Sequence, residues 1–225
     1  MRRLVIFDLD GTLLNTIADL AAATNQALQH YGYPTHQTEA YHFFVGNGIN
    51  KLFERALPEK ERTEENILKI RSQFIPYYDR HNADMSRPYP GIPELLKTLQ
   101  QQGIMIAIAS NKYQMATSKL VARYFPTTHF VKILGQREGI PVKPDPYIIY
   151  EIMETAGVEK EDILYVGDSD VDIRTAHNAG VTAVGVTWGF RPRTELEALH
   201  PAHIIEEASE LIPLIQATSP SAFIR

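Results

Sequence analysis

The chain of 225 residues has no cysteine, a single tryptophan, no long apolar run and no excess of positive charge. Each absence removes a class of function. Without thiols there is no disulfide, no thiolate nucleophile and no zinc–thiolate centre. A net charge of −5 argues against a nucleic-acid or membrane-surface partner, so an anionic substrate must be held by local charge. The basic start Met1-Arg2-Arg3 precedes only four apolar residues, too few for a signal peptide, and no later stretch is long enough to span a bilayer. The cytoplasm is therefore the expected location. There is no internal repeat and no low-complexity block. The remaining composition, 44% hydrophobic and 22% charged, is ordinary for a globular protein of one large domain or two unequal ones.

What is present begins at Leu4-Val5-Ile6-Phe7, which runs straight into Asp8-Leu9-Asp10-Gly11. So short and continuous an apolar run suits a strand buried on both faces. Gly11 can end it by taking backbone angles closed to other residues. Asp8 and Asp10 then stand at the carboxyl end of a buried strand, the edge where open α/β sheets bind ligands. Alternation puts them on the same side, and two carboxylates that close need a cation, a proton or a ligand between them. An acidic hairpin turn is the competing reading, but no matching strand succeeds Gly11, and the chain beyond it turns to helical periodicity.

Ile17, Leu20, Ala21, Thr24, Ala27, Leu28 and Tyr31 recur at helical spacing behind Thr16, the expected N-cap. Ile49 to Leu57 and Thr63 to about Arg80 are two further helices, with Gly46-Asn47-Gly48 a sharp loop among them. Residues 16–82 are thus expected to form an all-helical cap. The core comprises 1–15 and 83–225, entered through the proline-rich stretch 87–93. Beyond Pro93 helix and strand alternate. Helices are expected at Pro93–Gln102, Lys112–Tyr124, Pro146–Ala156, Val171–Asn178 and Leu211–Gln216. Strands are expected at Ile104–Ala109, Phe130–Leu134, Ile163–Val166, Val181–Val186 and His203–Ile205. The alternation predicts an α/β fold, a doubly wound parallel sheet with helices on both faces. Thr218 to Arg225 is expected to fray.

Chemistry collects at the strand ends. Ser110-Asn111-Lys112 follows one apolar run, Gly167-Asp168-Ser169-Asp170-Val171-Asp172 follows another, and Lys143 sits among the prolines of 141–146. Singly, each has a plain alternative. Ser110 could cap a helix, Asp168 or Asp170 likewise, and Lys143 and Lys112 could face solvent. Their shared edge is what makes them a site. Asp8, Asp10 and Asp168 offer hard oxygen ligands suited to Mg²⁺. Ser110 and Lys143 are a hydroxyl and a point charge suited to phosphate oxygens. One carboxylate can attack phosphorus while a second works as acid and base.

Taken together, Asp8-Leu-Asp10-Gly-Thr-Leu-Leu, Ser110-Asn-Lys, Lys143-Pro-Asp-Pro and Gly167-Asp168-Ser resemble, in order, the four motifs of the haloacid dehalogenase superfamily of hydrolases. The helical insert resembles that superfamily's C1-type cap on its Rossmann-like core. Val45-Gly-Asn-Gly48 and Ser-Asn-Lys112 are most similar to its phosphoglycolate phosphatases. The resemblance implies an Mg²⁺-dependent phosphatase of small phosphorylated metabolites, with phosphoglycolate the leading candidate. It implies Asp8 as nucleophile and Asp10 as acid and base. Mg²⁺ would lie on Asp8, Asp168 and the backbone carbonyl of Asp10, with Ser110, Asn111 and Lys143 on the phosphoryl group. Asp172 would support the metal or Lys143, and Asp170 would be a solvated or capping residue. Gly46-Asn47-Gly48 would either close over the site, as part of the cap that sets specificity, or be a plain interhelical turn. Asp10 argues against dehalogenation, since dehalogenases of the superfamily lack an acid there. Asn15-Thr16 departs from the acid and serine that relatives often carry at the hinge. Trp188 is expected to pack or anchor a loop, with a place at the border of the pocket as the alternative. A phosphomutase or pyrophosphatase on the same scaffold is the alternative, the mutase needing a cationic cap residue such as Lys51 or Arg55. A signalling receiver would leave the cap unexplained and its lysine would follow every acid. A non-catalytic binder would be expected to lack Asp8. Monomer and homodimer both fit.

Overall fold

In the computed structural model, which describes residues 2–216, the continuous apolar runs form strands and the periodic stretches form helices. Strand β1 (Leu4–Phe7) and a short β2 (Leu14–Asn15) precede helices α1 (Ile17–His30), α2 (Tyr41–Phe44), α3 (Ile49–Ala56) and α4 (Glu64–His81). A short β3 (Arg87–Pro88) returns antiparallel to β2, so the two connections between core and cap are bonded to each other. The chain continues through α5 (Ile92–Gln101), β4 (Met105–Tyr113), α6 (Gln114–Tyr124), β5 (Lys132–Gln136) and α7 (Tyr147–Ala156). It ends through β6 (Ile163–Gly167), α8 (Asp170–Ala179), β7 (Thr182–Val186), α9 (Arg193–Glu197), β8 (His203–Ile205) and α10 (Leu211–Gln216). The expected fraying of Thr218–Arg225 lies outside the described residues. No helix among those described is long and apolar enough to cross a membrane.

The main sheet has the order β5-β4-β1-β6-β7-β8, and every pairing in it is parallel. The chain winds outward from β1 through β4 to β5, then returns to β6 and winds the other way. β1 is therefore flanked by the first strand of each half, the switch point at which a doubly wound sheet opens a crevice. Val5, Phe7, Ile106, Ile108, Leu164 and Val166 pack against α5, α6 and α10. Leu4, Ile6, Ala107, Ile163 and Tyr165 pack against α7 and α8. With both faces covered, the strands must read as unbroken apolar runs. The helical cap has a separate apolar core, with Leu20, Phe53, Ile70, Phe74 and Tyr78 buried at its centre.

Three local expectations are corrected. Strand β4 continues through Ser110, Asn111 and Lys112 to Tyr113, and α6 starts at Gln114 rather than Lys112. Pairing with β5 is irregular after Ala109 but resumes at Tyr113–Gln136, a register that residue periodicity cannot reveal. The same pairing sets β5 two residues later than its apolar run suggests. Thr16 stands at the N-cap of α1 but caps nothing: its Oγ1 donates to Asp10 Oδ1 at 2.6 Å. Asn15 Oδ1 accepts from the Ile17 amide instead, at 3.4 Å.

Candidate active site

The strand order brings the polar residues to one edge. Asp8 follows β1, and its amide still donates to Val166 O of β6 at 2.9 Å. Asp168 follows β6 on one side of it, and Ser110–Lys112 end β4 on the other. Lys143 arrives on the loop before α7 with its side chain 2% exposed, which removes the solvated reading of that lysine. Its Nζ donates to Asp8 Oδ1 at 2.9 Å, Ala109 O at 2.9 Å and Asp172 Oδ1 at 2.7 Å. The Tyr165 hydroxyl stands 3.0 Å from Nζ and itself reaches Asp172 Oδ1 at 3.2 Å. Asp172 Oδ2 accepts from the amide and Oγ of Ser169, which forms the capping box of α8. Both oxygens of Asp172 are thus committed to aiming Lys143 and starting α8. Asp170, by contrast, pairs at 3.5 Å with Arg174 at a partly exposed position, as a solvated residue should.

Asp8, Asp168 and Asp172 bring one carboxylate oxygen each within 4.8 Å of one another. Burial pushes the Asp8 carboxyl up to about 7, with Lys143 opposing and Asp172 adding to the rise. Burial raises Asp168 well above the usual range, and its neighbours Asp172 and Asp8 raise it further. Burial alone would lower Lys143, but Asp172 and Asp8 outweigh it and hold the ammonium well above its ordinary value. Three buried acids against one ammonium leave surplus negative charge that a divalent cation would offset. The donor set fits that cation, being all oxygen, and because Lys143 takes Oδ1 of Asp8, its Oδ2 accepts no hydrogen bond among the described residues and is left for other chemistry. Asp168 is fixed from both sides, accepting from Thr12 Oγ1 at 3.2 Å and from the Phe190 amide at 2.7 Å. Glycines make room for it. A Cβ on Gly11 or Gly189 would lie 2.3 Å or 2.2 Å from Asp168 side-chain atoms.

Asp10 is held differently. Lys112 Nζ donates to both its carboxylate oxygens at 3.0 Å, and Thr16 adds the third bond. The Lys112 side chain is 4% exposed and lies over the Tyr78 ring at 4.8 Å, so the solvent-facing reading of Lys112 is wrong. The extension of β4 is the reason: a strand residue here points into the crevice, where a helix start would have pointed away. Ser110 Oγ accepts from the Lys112 amide at 3.2 Å and caps no helix. Asn111 Oδ1 accepts from the Lys143 amide, and its Nδ2 donates to Lys143 O and to Gly46 O of the cap loop.

These groups line one cavity, together with Gly46, Gly48 and Tyr78 from the cap. Asn47 turns away from it, its Oδ1 accepting from Arg55 at 2.7 Å. Lys51 pairs with Glu54 at the surface, and neither Lys51 nor Arg55 lines the cavity. Trp188 anchors a loop, its Nε1 donating to Thr12 O at 3.0 Å. Arg191 carries no signal in the sequence. This buried arginine in the loop after β7 donates to His42 O and Val45 O of the cap. Gly189, Tyr165 and Tyr78 are equally silent, since a glycine in a loop and tyrosines in apolar runs carry no motif. A lysine set two residues after a serine at a strand end was the available signal for Lys112.

A family model described as haloacid dehalogenase-like hydrolase matches residues 5–186. A phosphoglycolate phosphatase of Mannheimia succiniciproducens is 34% identical over 219 residues, covering 95% of this chain and 98% of that protein. A phosphoglycolate phosphatase of Vibrio parahaemolyticus is 33% identical, covering 96% and 97%. Among solved structures, a protein of Lactobacillus delbrueckii provisionally assigned as a phosphoglycolate phosphatase superposes with a TM-score of 0.88. It is 32% identical, covering 96% of this chain and 99% of that one.

Proposed function

We propose, for a chain that belongs to the haloacid dehalogenase-like hydrolases, an Mg²⁺-dependent phosphatase of small phosphorylated metabolites, with phosphoglycolate as the leading substrate. The carrying observation is the buried cluster of Asp8, Asp168 and Asp172 around the Lys143 ammonium, with the second acid, Asp10, beside it. The curated relatives named above support the choice of substrate.

In this reading Lys143 and Ser110 orient the phosphoryl group, and Asn111 holds the Lys143 loop in place. Asp8, Asp168 and the backbone carbonyl of Asp10 would hold Mg²⁺, which would supply positive charge to offset the phosphate oxygens. Asp8 Oδ2 attacks phosphorus, the bond from phosphorus to the ester oxygen breaks, and Asp10 gives that oxygen its proton. Asp10 then takes a proton from a water that attacks the aspartyl-phosphate; the bond from phosphorus to Asp8 breaks and inorganic phosphate leaves. The cap excludes bulk water during the first transfer and admits the one that completes the second. A mutase would return the phosphoryl to a second substrate oxygen and needs a cap cation at the site. Lys51 and Arg55 are both engaged elsewhere, which favours hydrolysis.

Phosphate release from a panel of phosphomonoesters, assayed with Mg²⁺, tests the reading. Wild type should turn over phosphoglycolate, and Asp8→Asn should lose more than about 10⁴-fold, as removal of a nucleophile does elsewhere. Robust turnover by Asp8→Asn would sink the mechanism.

A further inference from the structure

The cavity holds one cation that the phosphoryl chemistry leaves unused. Three cationic side chains line it: Lys112, Lys143 and Arg191. Lys143 is saturated by Asp8, Asp172 and Ala109 O. The Arg191 guanidinium is taken up by His42 O, Val45 O and Glu195. Lys112 Nζ bonds Asp10 alone. A second, independent observation lies beside it. Tyr78, whose ring lies under the ammonium, is fully buried, lines the same cavity, and its hydroxyl has no hydrogen-bond partner among the described residues. A buried hydroxyl without a partner is costly unless something arrives to accept from it.

We propose that Lys112 of the core and Tyr78 of the cap form a receptor for a carboxylate on the substrate. The site then selects phosphomonoesters that carry a second anionic group close to the ester. This deepens the phosphatase reading and rests on it. The substrate carboxylate takes the place of the Asp10 carboxylate on Lys112, while the Tyr78 O–H donates to its other oxygen. One carboxylate is exchanged for another, so the ammonium is never buried unpaired, which is what makes the exchange feasible in a dry cavity. Asp10, released from Lys112, keeps only the bond from Thr16 Oγ1 and can turn toward the ester oxygen. An ester of the same size without that second anionic group leaves Asp10 on Lys112 and reacts more slowly. Because the receptor is split between core and cap, it is complete only when the cap is down, and the correct substrate therefore favours closure.

The test compares phosphoglycolate with ethyl phosphate, which replaces the carboxylate by methyl, at saturating Mg²⁺. Wild type should favour phosphoglycolate by about 10- to 100-fold in kcat/KM, the range of a charged hydrogen bond. Lys112→Met should shrink that preference to less than about 3-fold, chiefly through KM for phosphoglycolate. Lys112→Arg should keep most of it. Tyr78→Phe should lower it about 3- to 10-fold without lowering the melting temperature, since it deletes an unsatisfied hydroxyl. The ratio is the readout, so a loss common to both esters does not count. An unchanged ratio in Lys112→Met, or no preference in wild type, overturns the inference while leaving the phosphatase reading intact. Phosphate release from neither ester by wild type instead overturns the phosphatase reading. Titration calorimetry of both esters on Asp8→Asn, with and without Lys112→Met, then decides the receptor without turnover.

Discussion

Asp168 shows what this edge asks of a single residue. It is buried, accepts only from Thr12 and the Phe190 amide, and has no basic partner among the described residues. Its charge is therefore costly until a cation arrives. Asp168→Asn keeps the shape: the amide oxygen can still accept from Phe190 N, and the NH₂ can donate to Thr12 Oγ1. The metal-free variant should be more stable than wild type by about 1 kcal/mol or more, read as about 2–4 °C per kcal/mol in thermal melts. Added Mg²⁺ should raise the melting temperature of wild type and leave Asp168→Asn unmoved. An equal Mg²⁺ shift in both proteins would remove Asp168 from the metal site. Residues of this kind were legible because acids at the ends of apolar runs are anomalous. Tyr165 and Gly189 were not, because a tyrosine under Lys143 and a glycine against Asp168 are ordinary residues until the sheet order brings their partners close.

At the scale of elements, the loop from His42 to Gly48 is what the core grips. Arg191 reaches up to His42 O and Val45 O, Asn111 Nδ2 to Gly46 O, and His42 Nδ1 lies 3.3 Å from Phe190 O. From the cap side Arg55 holds Phe44 O and Asn47, which fixes the shape of the loop. The bonds across the gap are mostly to backbone carbonyls, so they fix position while tolerating exchange for water on opening. Arg191→Met keeps the stem of the side chain and removes the donors. It should raise KM for small phosphomonoesters by about 3- to 30-fold, corresponding to the loss of one or two such bonds, with a smaller effect on kcat. A fall in kcat with KM unchanged would move Arg191 from cap closure to the chemistry. The helical parts of the cap could be read because they run for eight residues or more with clear periodicity. α2, at four residues, could not, since it is held by the burial of Tyr41 and that hydroxyl's bond to Asn25.

For the whole molecule, what matters is that two apolar cores meet across a polar seam. The parallel sheet could be read from its unbroken runs, and the early helical block from its change of period. How the two would meet could not, because seam residues such as Asn111, Lys112, Tyr113 and Arg191 reach partners far away in the chain. Tyr113 donates to Asp79 at 2.7 Å, and few apolar groups of the core, among them Ala116 and Phe190, enter the cap cluster. The two connections are secured separately: β2 pairs with β3, and Asp19 accepts from Met85 N, Ser86 N and Ser86 Oγ. The cap should therefore unfold while the sheet survives. Phe53, fully buried between the cap helices and edge-on to Phe74, is the place to test this, since it does not line the catalytic cavity. Phe53→Ala should cost about 3–5 kcal/mol, borne by the cap alone. Calorimetry should then resolve a low-temperature transition ahead of the main one. Mg²⁺ should raise the main transition as far as it does in wild type, because Asp8, Asp10 and Asp168 all stand on the sheet edge. Turnover should fall together with the first transition and not the second. A single transition, lowered as a whole and with a smaller Mg²⁺ shift, would mean that the cap core and the carboxylate edge of the sheet form one cooperative unit.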